Sequence, residues 1–202
     1  FYTLTMLKNG KFAMGHVPYS DSLSMLLSIM GIKTFLIFRD PRDVIISHAF
    51  FVSENPYNTC YKLYRHLSTH ERIMTSIVGI NEDNGFGIKL SNIKERIECL
   101  LPWMSNDYNC TVFFEKLVGP QGLGSLDMQL QELKKISEHL GFNYSPRELE
   151  DLASKIFGGT QTFRKGVIGD WKTHMSEEHK DVCKDLIGKI LIDLGYEKDF
   201  KW

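Results

Sequence analysis

Residues 33–38 form an apolar run of strand length, and Arg39-Asp40-Pro41 follows it with no intervening loop. Asp40 suits an N-cap and Pro41 the first helical position, so a strand is expected to run straight into a helix N-terminus. Upstream, residues 11–15 read as a short extended segment. Ser20 can cap a helix whose Leu23, Leu26, Leu27 and Met30 share a face, and Gly31 ends it. Strand, helix, strand at this spacing predicts a βαβ unit, its two strands parallel and buried on both faces.

The remaining pattern extends that plan. Helical periodicity covers about residues 41–52, 57–78 and 92–104, with a turn-rich stretch at 81–87. Residues 110–114 are a second short apolar strand, and 119–124 a glycine-rich loop. A helix from Leu126 carries Leu130, Leu133, Ile136 and Leu140 on one stripe and stops at Gly141. Ser145-Pro146-Arg147-Glu148 joins a capping box to a proline at the first helical position, starting a helix that runs to Gly158-Gly159. The last helix begins after Ser176, with Glu177 and Glu178 in its first turn, and ends before Gly195. The expectation is an α/β fold, a parallel sheet flanked by helices. With no linker-like segment, residues 1–202 are read as a single domain.

Composition narrows the partners. Hydrophobic residues at 43% and charged residues at 24% are ordinary for a globular chain and argue against disorder or a coiled-coil rod. Lys and Arg number 24 against 25 Asp and Glu, so no global field draws the protein to nucleic acid or an anionic membrane. Any bound anion needs a local basic cluster. The apolar stretches fall short of the roughly 20 residues that span a bilayer, so no membrane span is expected. Cys60, Cys99, Cys110 and Cys183 form no metal or disulfide pattern and read as free thiols in a reducing cytoplasm. The first residue is Phe, and no charged segment followed by an apolar one opens the chain, so no secretory signal is expected and the sequence reads as a piece of something longer.

Ligands of open α/β sheets bind beyond the carboxyl ends of the strands. His16, Arg39 and Glu115 fall there on this reading. In Arg39-Asp40-Pro41-Arg42-Asp43-Val44-Ile45-Ile46-Ser47 the free N–H groups of a helix start and the Arg39 fork suit a phosphate. Equally, Arg39 or Arg42 could pair with Asp40, Asp43 or Glu115. In residues 160–171, Arg164-Lys165-Gly166 lies between glycine-rich stretches and suits a loop folded over an anion. A solvated basic turn is the plainer alternative there, with Trp171 as a core anchor and Asp170 as a turn or cap residue.

The segment from Arg39 to Ser47 resembles the 3′-phosphate-binding segment of PAPS-dependent sulfotransferases, and the stretch from Phe163 to Lys172 resembles that family's RKGxxGDWK segment, in the same order and at similar separation. Gly15-His16-Val17-Pro18-Tyr19 is similar to the strand-end segment that carries the family's catalytic histidine. Phe113-Phe114-Glu115-Lys116-Leu117 is similar to a segment usually written YEDL, with Phe114 where a tyrosine would stand.

The resemblance implies a P-loop-NTPase-like sulfotransferase fold and sulfuryl transfer from PAPS to an acceptor hydroxyl or amine, leaving PAP, with no metal. Arg39 and Ser47 would hold the 3′-phosphate, Arg164, Lys165 and Gly166 would close over it, and Phe114 and Thr162 would lie near the nucleotide. His16 would be the general base. The acceptor would be a small-molecule or carrier-bound hydroxyl compound, its pocket lined by Tyr19, Phe50 and Phe51. The family's sulfate-side loop, of the PKSGTTW kind, does not occur in the sequence and is expected upstream of Phe1, so the 202 residues alone are expected to be inactive and poorly stable. The alternative is a degenerate PAP-binding or interaction module without catalysis. A kinase on a related fold is disfavoured, because no GxxxxGK[ST] loop supplies a magnesium-binding hydroxyl.

Overall fold

In the computed structural model, which describes Leu7, Gly10, residues 11–81, Gly85, and residues 87–159 and 163–202, strands β1 (Thr34–Phe38) and β2 (Asn109–Phe113) pair in parallel. The register sets Thr34 opposite Asn109 and Phe38 opposite Phe113, so both strands end at one edge. The helices are α1 (Asp21–Ile29), α2 (Pro41–Glu54), α3 (Tyr61–Tyr64), α4 (Thr69–Val78), α5 (Ile93–Glu98), α6 (Phe114–Leu117), α7 (Leu126–Leu140), α8 (Pro146–Lys155), α9 (Trp171–His174) and α10 (Glu177–Asp193). Short 3-10 turns occupy Leu101–Ser105 and Pro120–Gly122.

Most helix boundaries follow the capping chemistry read in the sequence. Ser20, Asp40, Ser145 and Ser176 each accept a backbone N–H at the start of their helix, and Gly141 closes α7 in the left-handed region. Two expected helices are divided. The one predicted over residues 57–78 breaks into α3 and α4, because Ser68 and Glu71 form a capping box that starts a new helix. The one predicted over residues 92–104 is α5 followed by a 3-10 turn, since Pro102 has no N–H to continue the α-helical ladder.

The principal core lies between the sheet and the helices. Leu36 and Phe38 of β1 meet Ile45, Ile46 and Ala49 of α2, Ile73 and Ile77 of α4, and Cys183, Ile187 and Leu191 of α10. Trp171 is buried among them, as the core-anchor reading expected. Arg42, also fully buried, is sandwiched by the Trp171 and Trp202 rings at 3.9 and 4.5 Å and pairs with Asp40 and Glu197. A smaller cluster holds Val52, Cys60, Tyr64 and Ile80; another joins α7 to α8 through Leu133, Leu149 and Ala153.

Two expectations about the sheet are corrected. Residues 11–15 form no strand, so the βαβ unit is absent among the described residues and α1 instead leads from coil into β1. Alternation alone does not make a strand; a ladder partner is needed, and the bonds of this region run elsewhere. Tyr19 N–H donates to the Cys99 carbonyl at 2.8 Å, and Val17 C=O accepts from Trp103 Nε1 at 3.0 Å. Phe12 and Met14 are left facing outward. Nor is β1 buried on both faces: Leu36 and Phe38 point into the core, while Phe35 and Ile37 are 37% and 64% exposed.

Candidate functional site

At the carboxyl edge of the sheet, β1 delivers Arg39 and β2 delivers Phe114 and Glu115. Glu115 accepts the Asp40 N–H at 2.7 Å, and Asp40 accepts the Arg42 N–H at 2.9 Å. These carboxylates take the Asp40 and Arg42 N–H groups at the start of α2, and Pro41 has none, so those positions offer a phosphate no free donor. Burial pushes the Glu115 carboxyl above its usual value. Its role is to fix the strand-to-helix corner.

The positive charge lies beside that corner. The Arg39 guanidinium rests 4.2 Å above the Phe114 ring, donates to the Val167 carbonyl at 2.7 Å and sits 3.5 Å from Asp43. Phe114, without a phenol hydroxyl, thus gives Arg39 an aromatic face. Asp43 accepts the Gly169 and Trp171 N–H groups at 2.8 and 3.0 Å, tying α2 to a segment more than 120 positions away in the chain. Burial raises the Asp43 carboxyl above its usual value despite those bonds.

The segment bearing the basic triplet folds over this edge. Arg164 and Lys165 both pair with Asp170, Lys165 at 2.9 Å. Burial alone would raise the Asp170 carboxyl, but Lys165 and Arg164 outweigh it and hold it below the usual value. The Arg164 guanidinium also lies 4.8 Å from the Phe50 ring centre. Close backbone packing sets the loop's path. The Ile168 N–H donates to Gly122 C=O at 3.0 Å, and a Cβ on Gly122 would lie 2.5 Å from the Gly166 carbonyl. Gly166 has φ +63°, and a Cβ there would strike the Phe163 ring at 2.5 Å.

Together these parts enclose a cavity of about 260 Å³. Arg39, Ser47 and Phe114 line it from the sheet and α2; Phe163, Arg164, Lys165, Gly166, Val167 and Asp170 line it from the loop. Six of the eight residues named from the sequence therefore meet at one place. Ser47 reaches it from nearly two turns inside α2. Arg39, Arg164 and Lys165 face two carboxylates, Asp43 and Asp170, leaving one positive charge over. Arg39 Nε and Arg164 Nε are buried without hydrogen-bond partners. Buried donors are normally satisfied, so both nitrogens have a hydrogen bond left to give.

The other two named residues stand apart. Thr162 lies outside the described residues. His16 is exposed on the segment of residues 11–20 and does not line the cavity, so the expected position at the end of a strand is corrected. Its surroundings include a group that sequence reasoning passed over. His48, next to Ser47, is pushed down to about 4 by burial first, then by the charges of Arg96 and His16. The aromatics expected around an acceptor divide: Tyr19 packs on Trp103, Phe51 joins the smaller cluster, and Phe50 lies under Arg164. Asp43 pairs with Arg39, as the ion-pair alternative had it, whereas Asp170, read as a turn or cap residue, was missed as the charge partner of Arg164 and Lys165.

The comparison with solved structures finds two proteins of similar fold. Mouse sulfotransferase SULT7A1 complexed with PAP matches with a TM-score of 0.55 and 15% identity over 88% of this chain and 64% of that one. Retinol dehydratase in complex with androsterone and inactive cofactor PAP matches with a TM-score of 0.63 and 18% identity, over 95% of this chain and 57% of that one. The chain thus spans less than two thirds of the length of either. No protein-family model matches the sequence, and no curated protein matches it.

Proposed function

We propose that this chain binds PAPS and PAP and belongs to an enzyme that transfers a sulfuryl group to an acceptor hydroxyl. The observation that carries the proposal is the meeting of Arg39, Ser47 and the Arg164-Lys165-Gly166 loop around one cavity with surplus positive charge and two unpartnered arginine nitrogens. Its volume, about 260 Å³, lies below the roughly 300–1,000 Å³ of pockets that take whole ligands, so it suits the 3′-phosphate end of the nucleotide. Arg39, Arg164 and Lys165 give charge-assisted contacts to the phosphate oxygens, with the Ser47 hydroxyl beside them. PAPS supplies the sulfuryl group when bound. As the acceptor oxygen bonds to sulfur and the bond from sulfur to the 5′-phosphate oxygen breaks, His16 takes the hydroxyl proton as general base. We place the reaction in the cytoplasm.

Calorimetry with PAP and AMP tests the phosphate assignment. The protein is expected to prefer PAP, and Arg39→Ala or Arg164→Ala to erase most of that preference, each lost contact costing ~1.5–3 kcal/mol. Equal affinity for the two nucleotides in the unaltered protein refutes it. A second reading, nucleotide binding without transfer, is favoured by one observation: His16 is exposed and outside the cavity lining. Incubation of the intact enzyme, extended upstream of Phe1, with labelled PAPS and a panel of phenols, alcohols and amines separates the two, since binding without any labelled product supports the second.

A further inference from the structure

Every other arginine buried near the site has a carboxylate. Arg42 has Asp40 and Glu197, Arg39 has Asp43, and Arg164 has Asp170. Arg96, on α5, pairs with no carboxylate among the described residues. It donates to the Ser76 carbonyl in the last turn of α4, and its Nε is buried without a partner. Burial pulls the guanidinium below the ordinary arginine value. An uncompensated buried cation is costly to keep. Capping one carbonyl uses part of the guanidinium, and among the described residues Nε has no acceptor.

The groups around Arg96 are arranged rather than incidental. The Tyr64 hydroxyl lies 3.1 Å from Ser76 Oγ, which lies 2.9 Å from His48 Nδ1. The Tyr64 and His48 rings meet edge to face at 5.7 Å. His48 follows Ser47, which lines the cavity. The segment carrying His16 is pinned to the same side, its Tyr19 N–H bonded to the carbonyl of Cys99, three residues beyond Arg96. The charges of Arg96 and His16 both act on His48, so three segments bring their polar groups together beside α2.

We propose that Arg96 binds an anionic group on the acceptor, so that the substrate class is a hydroxyl compound that also carries a carboxylate or comparable acid group. This rests on the sulfuryl-transfer reading, in which His16 faces the acceptor hydroxyl. Arg96 supplies the countercharge, and His48, held by Ser76, stands near both.

The test uses two phenols that differ only in a carboxylate, 4-hydroxyphenylacetate and 4-methylphenol, titrated calorimetrically into the whole chain with and without saturating PAP. The acid is expected to bind ~10- to 100-fold more tightly than the neutral phenol, the scale of one charge-assisted contact. Arg96→Gln should bring the ratio close to one, and Arg96→Lys should restore part of it. Reading the ratio within each variant separates recognition from any loss of the α4 cap, which a melting curve reports. A ratio near one in the unaltered protein, or one that survives Arg96→Gln, overturns the proposal. If Arg96→Gln does not fold, the unaltered and Arg96→Lys ratios decide. Failure to bind PAP with the acid preference intact refutes the transfer reading and leaves the Arg96 assignment standing.

Discussion

His48 keeps a neutral ring because burial first, then the neighbouring Arg96 and His16 side chains, oppose its protonation. Its folded value of about 4 lies below the ordinary 6.5, so between those values the unfolded chain binds a proton that the folded one refuses. The stabilisation is complete above about pH 6.5 and is lost as pH falls toward 4. In urea titrations, His48→Gln should therefore lose less stability than the unaltered protein between pH 7.5 and 5, by about 1–2 kcal/mol. Asp43 and Glu115, whose folded values are raised, act with the opposite sign but are common to both proteins. Parallel slopes would exclude His48 as the cause. His16 has a kinetic signature instead. In the intact enzyme, His16→Ala should lower turnover ~10²–10⁴-fold while PAP affinity stays nearly constant, checked by initial rates and calorimetry. Retained turnover would remove His16 from the mechanism. Arg39, Ser47 and Arg164 could be read from sequence because each sits in a contiguous motif. Arg96 could not: in a short helical stretch with Lys94 and Glu98 it looks like one more solvated charge, and its burial without a carboxylate partner among the described residues follows only from the packing of α4 beside α5.

At the scale of elements, Asp43 is the joint between α2 and the basic loop. Asp43→Asn preserves its shape but replaces one of two accepting oxygens with an amide group that cannot accept, leaving the Gly169 or Trp171 N–H without its bond. The expected cost is about 1–3 kcal/mol of stability, with weaker PAP binding because the loop loses its anchor on α2. Denaturation midpoints and calorimetry report the two effects separately; normal values for both would mean that the loop is positioned without Asp43. The same joint shows where sequence reading ends. Ser20, Asp40, Ser145 and Ser176 mark helix starts through contacts within three residues, and all four are legible. The Asp43 bonds span more than 120 positions and depend on the finished topology. Residues 11–15 show the converse, a local pattern compatible with a strand that no ladder partner realises. The break between α3 and α4 was legible in Ser68 and Glu71, but the longer apolar periodicity obscured it.

For the whole molecule, the pairing of β1 with β2 has a consequence in time. Thr34 pairs with Asn109 and Phe38 with Phe113, a constant separation of 75 positions. Contacts this distant in sequence carry a loop-closure cost before they return any stability, and they slow folding relative to a helical bundle of equal length. Refolding followed by stopped-flow fluorescence of Trp103 and Trp171 should therefore be slow, in the range of milliseconds to seconds; a microsecond phase accounting for the full signal would contradict it. On the ribosome the delay is longer. At roughly 5–20 residues per second, several seconds separate the synthesis of β1 from that of β2, and in that interval a strand carrying Phe35, Leu36, Ile37 and Phe38 has no ladder partner from this sheet. The nascent chain is then a target for chaperones that bind short extended apolar segments, and its yield in cells depends on how quickly the ribosome reaches Asn109.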